Sequence, residues 1–188
     1  MRSLADPPGG ALIWLIIAVE LVTFGIIGVL LARLRSTEPA LFHAGQAALS
    51  STTGLVYTLS LVASGWLAAE AVHAVGQGRR ARARRALLGA IGGGLVFVGL
   101  KLHDGAGLIA AGHDLGSNDF WSGFYFATGF HLVHVAVGLV LLAVAAARLR
   151  RPAKADEHET ITALVLFWHL CDLAWFVLLA VLYTGAPS

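Results

Sequence analysis

Five ionisable side chains lie deep inside otherwise apolar stretches of this sequence: Glu20, His131, His134, His169 and Asp172. Residues of these types can do three kinds of chemistry there. Carboxylates can accept hydrogen bonds from imidazoles and so fix how helices pack. A chain of Asp, Glu and His can pass protons through a membrane. Histidines on facing helices can ligate a haem iron. His131 and His134 are three residues apart, as are His169 and Asp172, so each pair shares one face of a helix. His131 and His134 sit too close on one helix to be the two opposite axial ligands of a single haem, so such a site would also need His169. Lys101 and Asp104 repeat the three-residue spacing. That lysine can pair with the carboxylate or extend toward the interface, and either removes an isolated charge. Glu70 and His73 read as a solvated pair near a membrane surface. The sequence has no glycine-rich phosphate loop, nucleophile elbow or HExxH motif, so no residue is nominated as catalytic or metal-binding. Cys171 is the single cysteine, which excludes an intramolecular disulfide and a multi-cysteine metal site.

The elements that must position these groups follow from composition. Of 188 residues, 57% are hydrophobic and 13% charged, with a mean hydropathy of +0.77. Soluble domains carry about 25% charged residues. A water-soluble enzyme, a disordered chain and a nucleic-acid-binding domain are therefore excluded. A helix needs about 20 mostly apolar residues to cross a bilayer. Stretches 11–32, 48–75, 87–112, 120–147 and 160–184 satisfy this. The expectation is an all-α polytopic membrane protein, with residues 1–188 forming a single bundle of five transmembrane helices. The first stretch is read as a retained helix, because its apolar run exceeds a signal-peptide core and meets no A-x-A site. Lys and Arg divide ten to two between the two sides, with Arg2, the Arg79–Arg85 run and Arg148–Lys154 on the richer side. The N-terminus is thus expected to be cytoplasmic and the C-terminus outside. Glu20 then lies roughly 12 Å below the cytoplasmic start of its helix, at a depth where a carboxyl needs a hydrogen-bonding partner. His131, His134, His169 and Asp172 reach comparable depths. The stripe Thr53, Tyr57, Ser60 and Ser64 makes one face of the second span polar, as expected of a helix-packing surface.

Two segments resemble a known family. Ala127-Thr128-Gly129-Phe130-His131-Leu132-Val133-His134-Val135-Ala136-Val137-Gly138 is similar to the "TGFHxxHVxxG" helix of subunit III of the haem–copper oxidases. One helix later, Trp168-His169-Leu170-Cys171-Asp172-Leu173-Ala174-Trp175 is similar to that family's "WHxxDxxW". Glu20 in "AVELVTFG" resembles the membrane-buried glutamate of "SEVxFF", and Lys101-Leu102-His103-Asp104 resembles "KxxEY" with aspartate in place of glutamate. The longest members have seven helices, so the resemblance is to a five-helix form. Segment 118–126 is more similar to a short branch associated with nitric-oxide reductases.

The resemblance implies a non-catalytic accessory subunit without its own haem or metal, those centres belonging to a partner. It implies a haem–copper oxidase or nitric-oxide reductase catalytic subunit as that partner, and no nucleic acid. It implies a bound phospholipid with Arg148 as headgroup ligand, and a role for Glu20, with His131, His134 or His169 beside it, in proton uptake. The location implied is a bacterial cytoplasmic membrane. Two other readings stay open on the residues alone: an independent b-type cytochrome, and a stand-alone proton-coupled transporter. The latter is disfavoured because no inverted repeat is present.

Overall fold

The computed structural model describes residues 7–184, so Arg2 and its place in the charge asymmetry lie outside the described residues. The described residues form six helices: α1 Ala11–Thr37, α2 Pro39–Ala47, α3 Ser51–Gly76, α4 Arg80–Ala110, α5 Asp119–Arg148 and α6 Glu157–Leu182. All but α2 are long and apolar enough to cross a membrane. The fold is all-α, with five membrane-spanning helices.

Local chemistry sets the boundaries. Pro39 ends α1, since it can neither donate to the ladder nor let Glu38 stay helical, and the same proline opens α2 at its first position. Ser50 caps α3 by accepting from the Thr53 amide, and Asn118 caps α5 by accepting from the Trp121 amide. The ends of α3 and α4 share one device. Gly78 (φ 71°) and Gly112 (φ 87°) take the left-handed conformation that glycine adopts without strain. The next residue then closes back onto the helix, Arg79 N to Ala74 O at 2.8 Å and His113 N to Leu108 O at 3.0 Å.

Two boundaries differ from the sequence reading. The short helix α2 was not expected, and α4 begins at Arg80 rather than 87. Its first turns carry the arginine run, a composition that favours helix. Two of these arginines are fastened to neighbouring helices: Arg80 Nη2 lies 2.7 Å from Glu157 Oε2, and Arg82 Nε lies 2.8 Å from Glu70 Oε1.

Helices α3, α4, α5 and α6 close into a ring, each packing on the next, and α1 runs along the outside of α6 with a lighter contact to α5. One seam of α1 is buried (Ile13, Ile17, Phe24, Ile27, Leu31), with spacings of three, four and seven residues. Its other faces leave Leu12, Leu15, Val22 and Val29 exposed, as suits a helix bathed in lipid. The predicted stripe on α3 does pack helices: Ser64 Oγ donates to Ala90 O on α4 at 2.6 Å, and Tyr57 is fully buried.

The ring is drawn tight by Trp168. A Cβ placed on Gly94 of α4 would come within 2.6 Å of its indole, and one on Gly138 of α5 within 2.7 Å. Gly92, by contrast, faces open space. Gly138→Leu should lower the thermal unfolding midpoint in detergent by an amount equivalent to about 1–3 kcal/mol, as overpacking does. Gly92→Leu should leave it within error, and equal loss in the two would contradict the packing described.

Candidate functional site

The three-residue spacing of His131 and His134 turns their imidazoles toward different neighbours. Three residues advance a helix by about 300°, which leaves the two side chains some 60° apart around the axis. His131 points at α6 and donates from Nε2 to the carbonyl of Cys171 at 3.0 Å. It is almost fully buried, edge-on to Phe97 and tilted against Trp175. His134 points at α1, where its Nε2 lies 3.2 Å from Glu20 Oε2. Phe24, one turn further along α1, packs its ring against His134 and Phe130.

The tautomer of His134 follows from its surroundings. His134 Nδ1 lies 2.9 Å from the Phe130 carbonyl, which has no proton to give, so Nδ1 must carry one. Nε2 then faces Glu20 Oε2 at 3.2 Å, so the imidazole gives the carboxyl a polar neighbour inside the span. This is the arrangement that lets a carboxyl exist in hydrocarbon.

His169 and Asp172 form a separate pair on α6, Nδ1 to Oδ2 at 3.2 Å, turned toward α3. Gly65 of α3 makes room for it: a Cβ there would lie within the contact distance of Asp172 Oδ2. Asp172 Oδ1 is buried without a hydrogen-bond partner, while His169 stays partly open to a groove lined by Trp66 and Phe176. The five groups predicted to share the bilayer centre are thus divided into a Glu20–His134 contact, a His169–Asp172 contact, and His131 bound to backbone between them.

Lys101 does not extend outward, and Asp104 attracts it without coming within ion-pair distance. It is buried, with Nζ 3.3 Å from Tyr183 Oη and within 4.7–5.9 Å of the ring centres of Tyr57, Phe124, Trp175 and Tyr183. Sequence reasoning missed this cage, because its rings come from α3, α5, α6 and the segment after α6, and no local spacing connects them. It also missed Gln46 of α2, whose amide donates to the carbonyls of Val181, Leu182 and Thr184 and so satisfies the end of α6. The Glu70–His73 pair is replaced by Glu70 with Arg82, and by His73 with Gln77.

Arg148, at the end of α5, donates from Nη2 to both carboxylate oxygens of Asp156 at 2.9 Å. Against a desolvation effect that raises it, the charge and hydrogen bonds of Arg148 hold the Asp156 carboxyl below its usual range. The ion pair is therefore intact above the ordinary aspartate pKa and is lost only as pH falls through the lowered one.

The sequence that builds these helices matches a protein family. The family model described as cytochrome c oxidase subunit III matches residues 46–186. The chain belongs to the cytochrome c oxidase subunit III family. Cytochrome c oxidase subunit 3 of Mycosarcoma maydis is 34% identical over 134 residues, covering 70% of this chain and 48% of that protein. Cytochrome c oxidase subunit 3 of Thermostichus vulcanus is 34% identical over 92 residues, 48% of this chain and 44% of that one. Cytochrome bo(3) ubiquinol oxidase subunit 3 of Pseudomonas aeruginosa is 32% identical over 91 residues, again 48% and 44%. The chain spans about half the length of the curated subunit III relatives it matches. His131, His134, His169, Asp172, Lys101, Asp104 and Arg148 lie within the family match, whereas Glu20 precedes it.

The contact between Gly65 and Asp172 gives a direct test of the α3–α6 geometry. Gly65→Ala should destabilise the protein alone but cost little in an Asp172→Ala background. The coupling in that double-mutant cycle should fall in the usual range of about 0.5–3 kcal/mol for touching residues. Simple additivity of the two thermal shifts would place these residues apart.

Proposed function

We propose that this subunit III chain is a non-catalytic accessory component of a haem–copper oxidase superfamily complex, of the oxygen-reducing or the nitric-oxide-reducing kind. In this reading it packs beside the catalytic subunit in a bacterial cytoplasmic membrane, with its N-terminus in the cytoplasm. The observation that carries the proposal is the family match across α3 to α6, with both signature segments at facing positions on α5 and α6. Haem and metal are assigned to the partner. What supports this is the use of the imidazoles: His131 Nε2 is given to Cys171 O, and both nitrogens of His134 are engaged by Phe130 and Glu20. A haem iron would have to displace those contacts, which argues against an independent b-type cytochrome.

Glu20 and His134, in contact in the membrane interior, suit a supporting role in the partner's proton uptake. Phospholipid binding is part of the same proposal, with Arg148 at the headgroup level. A guanidinium can grip a phosphate with parallel hydrogen bonds. Asp156 already occupies Nη2, so a lipid would take the remaining edge of the guanidinium.

The test is purification of the tagged chain from its native membrane. A haem–copper catalytic subunit should co-purify, and all haem absorbance should stay with that subunit when the two are separated. Haem retained stoichiometrically by this chain alone would overturn the assignment. In the intact complex, Glu20→Gln should slow turnover severalfold without abolishing it. Arg148→Ala should lose a co-purifying anionic lipid, detected by mass spectrometry, while Arg150→Ala keeps it. Equal lipid retention would leave Arg148 as a topology anchor only.

A further inference from the structure

Lys101 is the most deeply buried basic side chain that the proposed function leaves without a task. Four aromatic rings and the Tyr183 hydroxyl surround its amine. Ring faces stabilise a cation but do not neutralise it. Among the described residues no carboxylate oxygen lies within 4.0 Å of Nζ. Asp104, on the same helix, attracts the ammonium from beyond that distance and lines a cavity between α3 and α4 with Thr53 and His103. A buried ammonium with no carboxylate in direct contact is still costly in hydrocarbon.

The space beside this lysine is a cavity of about 300 Å³ between α4 and α5. Gly105 and Ala106 line it from α4, and Phe124, Thr128 and Gly129 from α5. Its wall is apolar except at Lys101, Thr128 and Tyr125, and the Thr128 and Tyr125 hydroxyls are already used as donors to Phe124 O and His113 O. A second apolar cavity, about 440 Å³, shares Ile109, Tyr125 and Gly129 with the first and continues past Phe126 and Phe130. Phe126 is largely exposed on the lipid-facing surface, so the two cavities form one path from the bilayer to the lysine. Glycine keeps it open: a Cβ on Gly105 or on Gly129 would meet nothing within 4 Å.

The geometry points to a binding site for a single-chain anionic amphiphile, its head paired with Lys101 and its acyl chain lying in the α4–α5 path toward the bilayer. The cavity at Lys101 is near the lower end of ligand pockets, about 300–1,000 Å³. It has room for one compact head and the first methylenes, and not for two acyl chains. Lys101 lies nine residues before the end of α4, about 14 Å along the axis. A small head on a single chain can sink to that depth, and the Lys101 amine meets it there. The head chemistry is a carboxylate, as in a free fatty acid, or a single-chain phosphate, as in a lysophospholipid. The site is distinct from Arg148, which is at the opposite end of the bundle, and it does not depend on which complex the chain joins.

The experiment is equilibrium binding of labelled palmitate to the full chain, with the subunits that co-purify, in lipid nanodiscs. Competitors are 1-palmitoyl-lysophosphatidylglycerol, dioleoylphosphatidylglycerol and hexadecanol. Saturable binding at one palmitate per chain is expected, displaced by palmitate or the lysolipid and at least tenfold less well by hexadecanol or the two-chain lipid. The tighter of the two single-chain anions identifies the source of the head. Lys101→Met should weaken binding at least tenfold. Gly129→Leu, which keeps the lysine but closes the path where side-chain space is open, should do the same with an unchanged unfolding midpoint. Palmitate affinity unchanged in Gly129→Leu, or hexadecanol competing as well as palmitate, would overturn the proposal. Should Lys101→Met fail to fold, the Gly129→Leu and hexadecanol arms decide it alone.

Discussion

Helix α6 meets α1, α3 and α5, and its Trp168 reaches between Gly94 and Gly138 to touch α4 as well. In a bilayer the hydrophobic effect does not hold helices together, because lipid is as apolar as leucine. Close backbone approach and interhelical hydrogen bonds must do it. The glycines around Trp168 supply the first. His131 to Cys171 O, Trp175 Nε1 to Thr58 Oγ1 and Ser64 to Ala90 O supply the second. Remove the space at Gly94 or Gly138 and α6 must move outward. The His131 bond, the seat of Asp172 at Gly65 and the Trp175 wall of the lysine cage would move with it.

The same constraint explains how the polar groups are distributed. A single cluster of five ionisable residues would gather charge that hydrocarbon does not tolerate. The chain divides them into smaller contacts: a carboxyl facing an imidazole across α1 and α5, an imidazole and carboxyl on one turn of α6, an imidazole on a carbonyl. Lys101 is the exception, since its partners are π faces and a phenol. The acidic and basic residues at the ends of the bundle behave differently. Arg80 with Glu157, Arg82 with Glu70 and Arg148 with Asp156 pair near water, where they fix the ends of α3, α5 and α6 against the start of α4 and the α5–α6 connection.

Much of this was legible in the sequence, and for definite reasons. Long apolar runs announce spans, so the five crossing helices were readable to within a few residues, apart from the start of α4. There the arginine run looked like a loop because charge was counted and helix propensity was not. The short α2 went unread because its nine residues carry little periodicity, and Pro39 was not used as a boundary signal. The motifs on α5 and α6 singled out residues that make contacts between helices, but spacing gives only the face they share. It does not say that His131 turns to α6 while His134 turns to α1, a matter of about 60° of rotation. The aromatic cage could not be read at all, since Tyr57, Phe124, Trp175 and Tyr183 meet only through the tertiary fold.

The central claim is that these buried imidazoles serve a protein framework attached to a redox partner and are not ligands themselves. A cryo-electron microscopy structure of the complex isolated through this chain would test it most directly. The account predicts a haem–copper catalytic subunit against the five-helix bundle, Glu20 facing His134, and His131 on the Cys171 carbonyl. A haem iron bound by His131, His134 or His169, in a particle without a catalytic subunit, would contradict it.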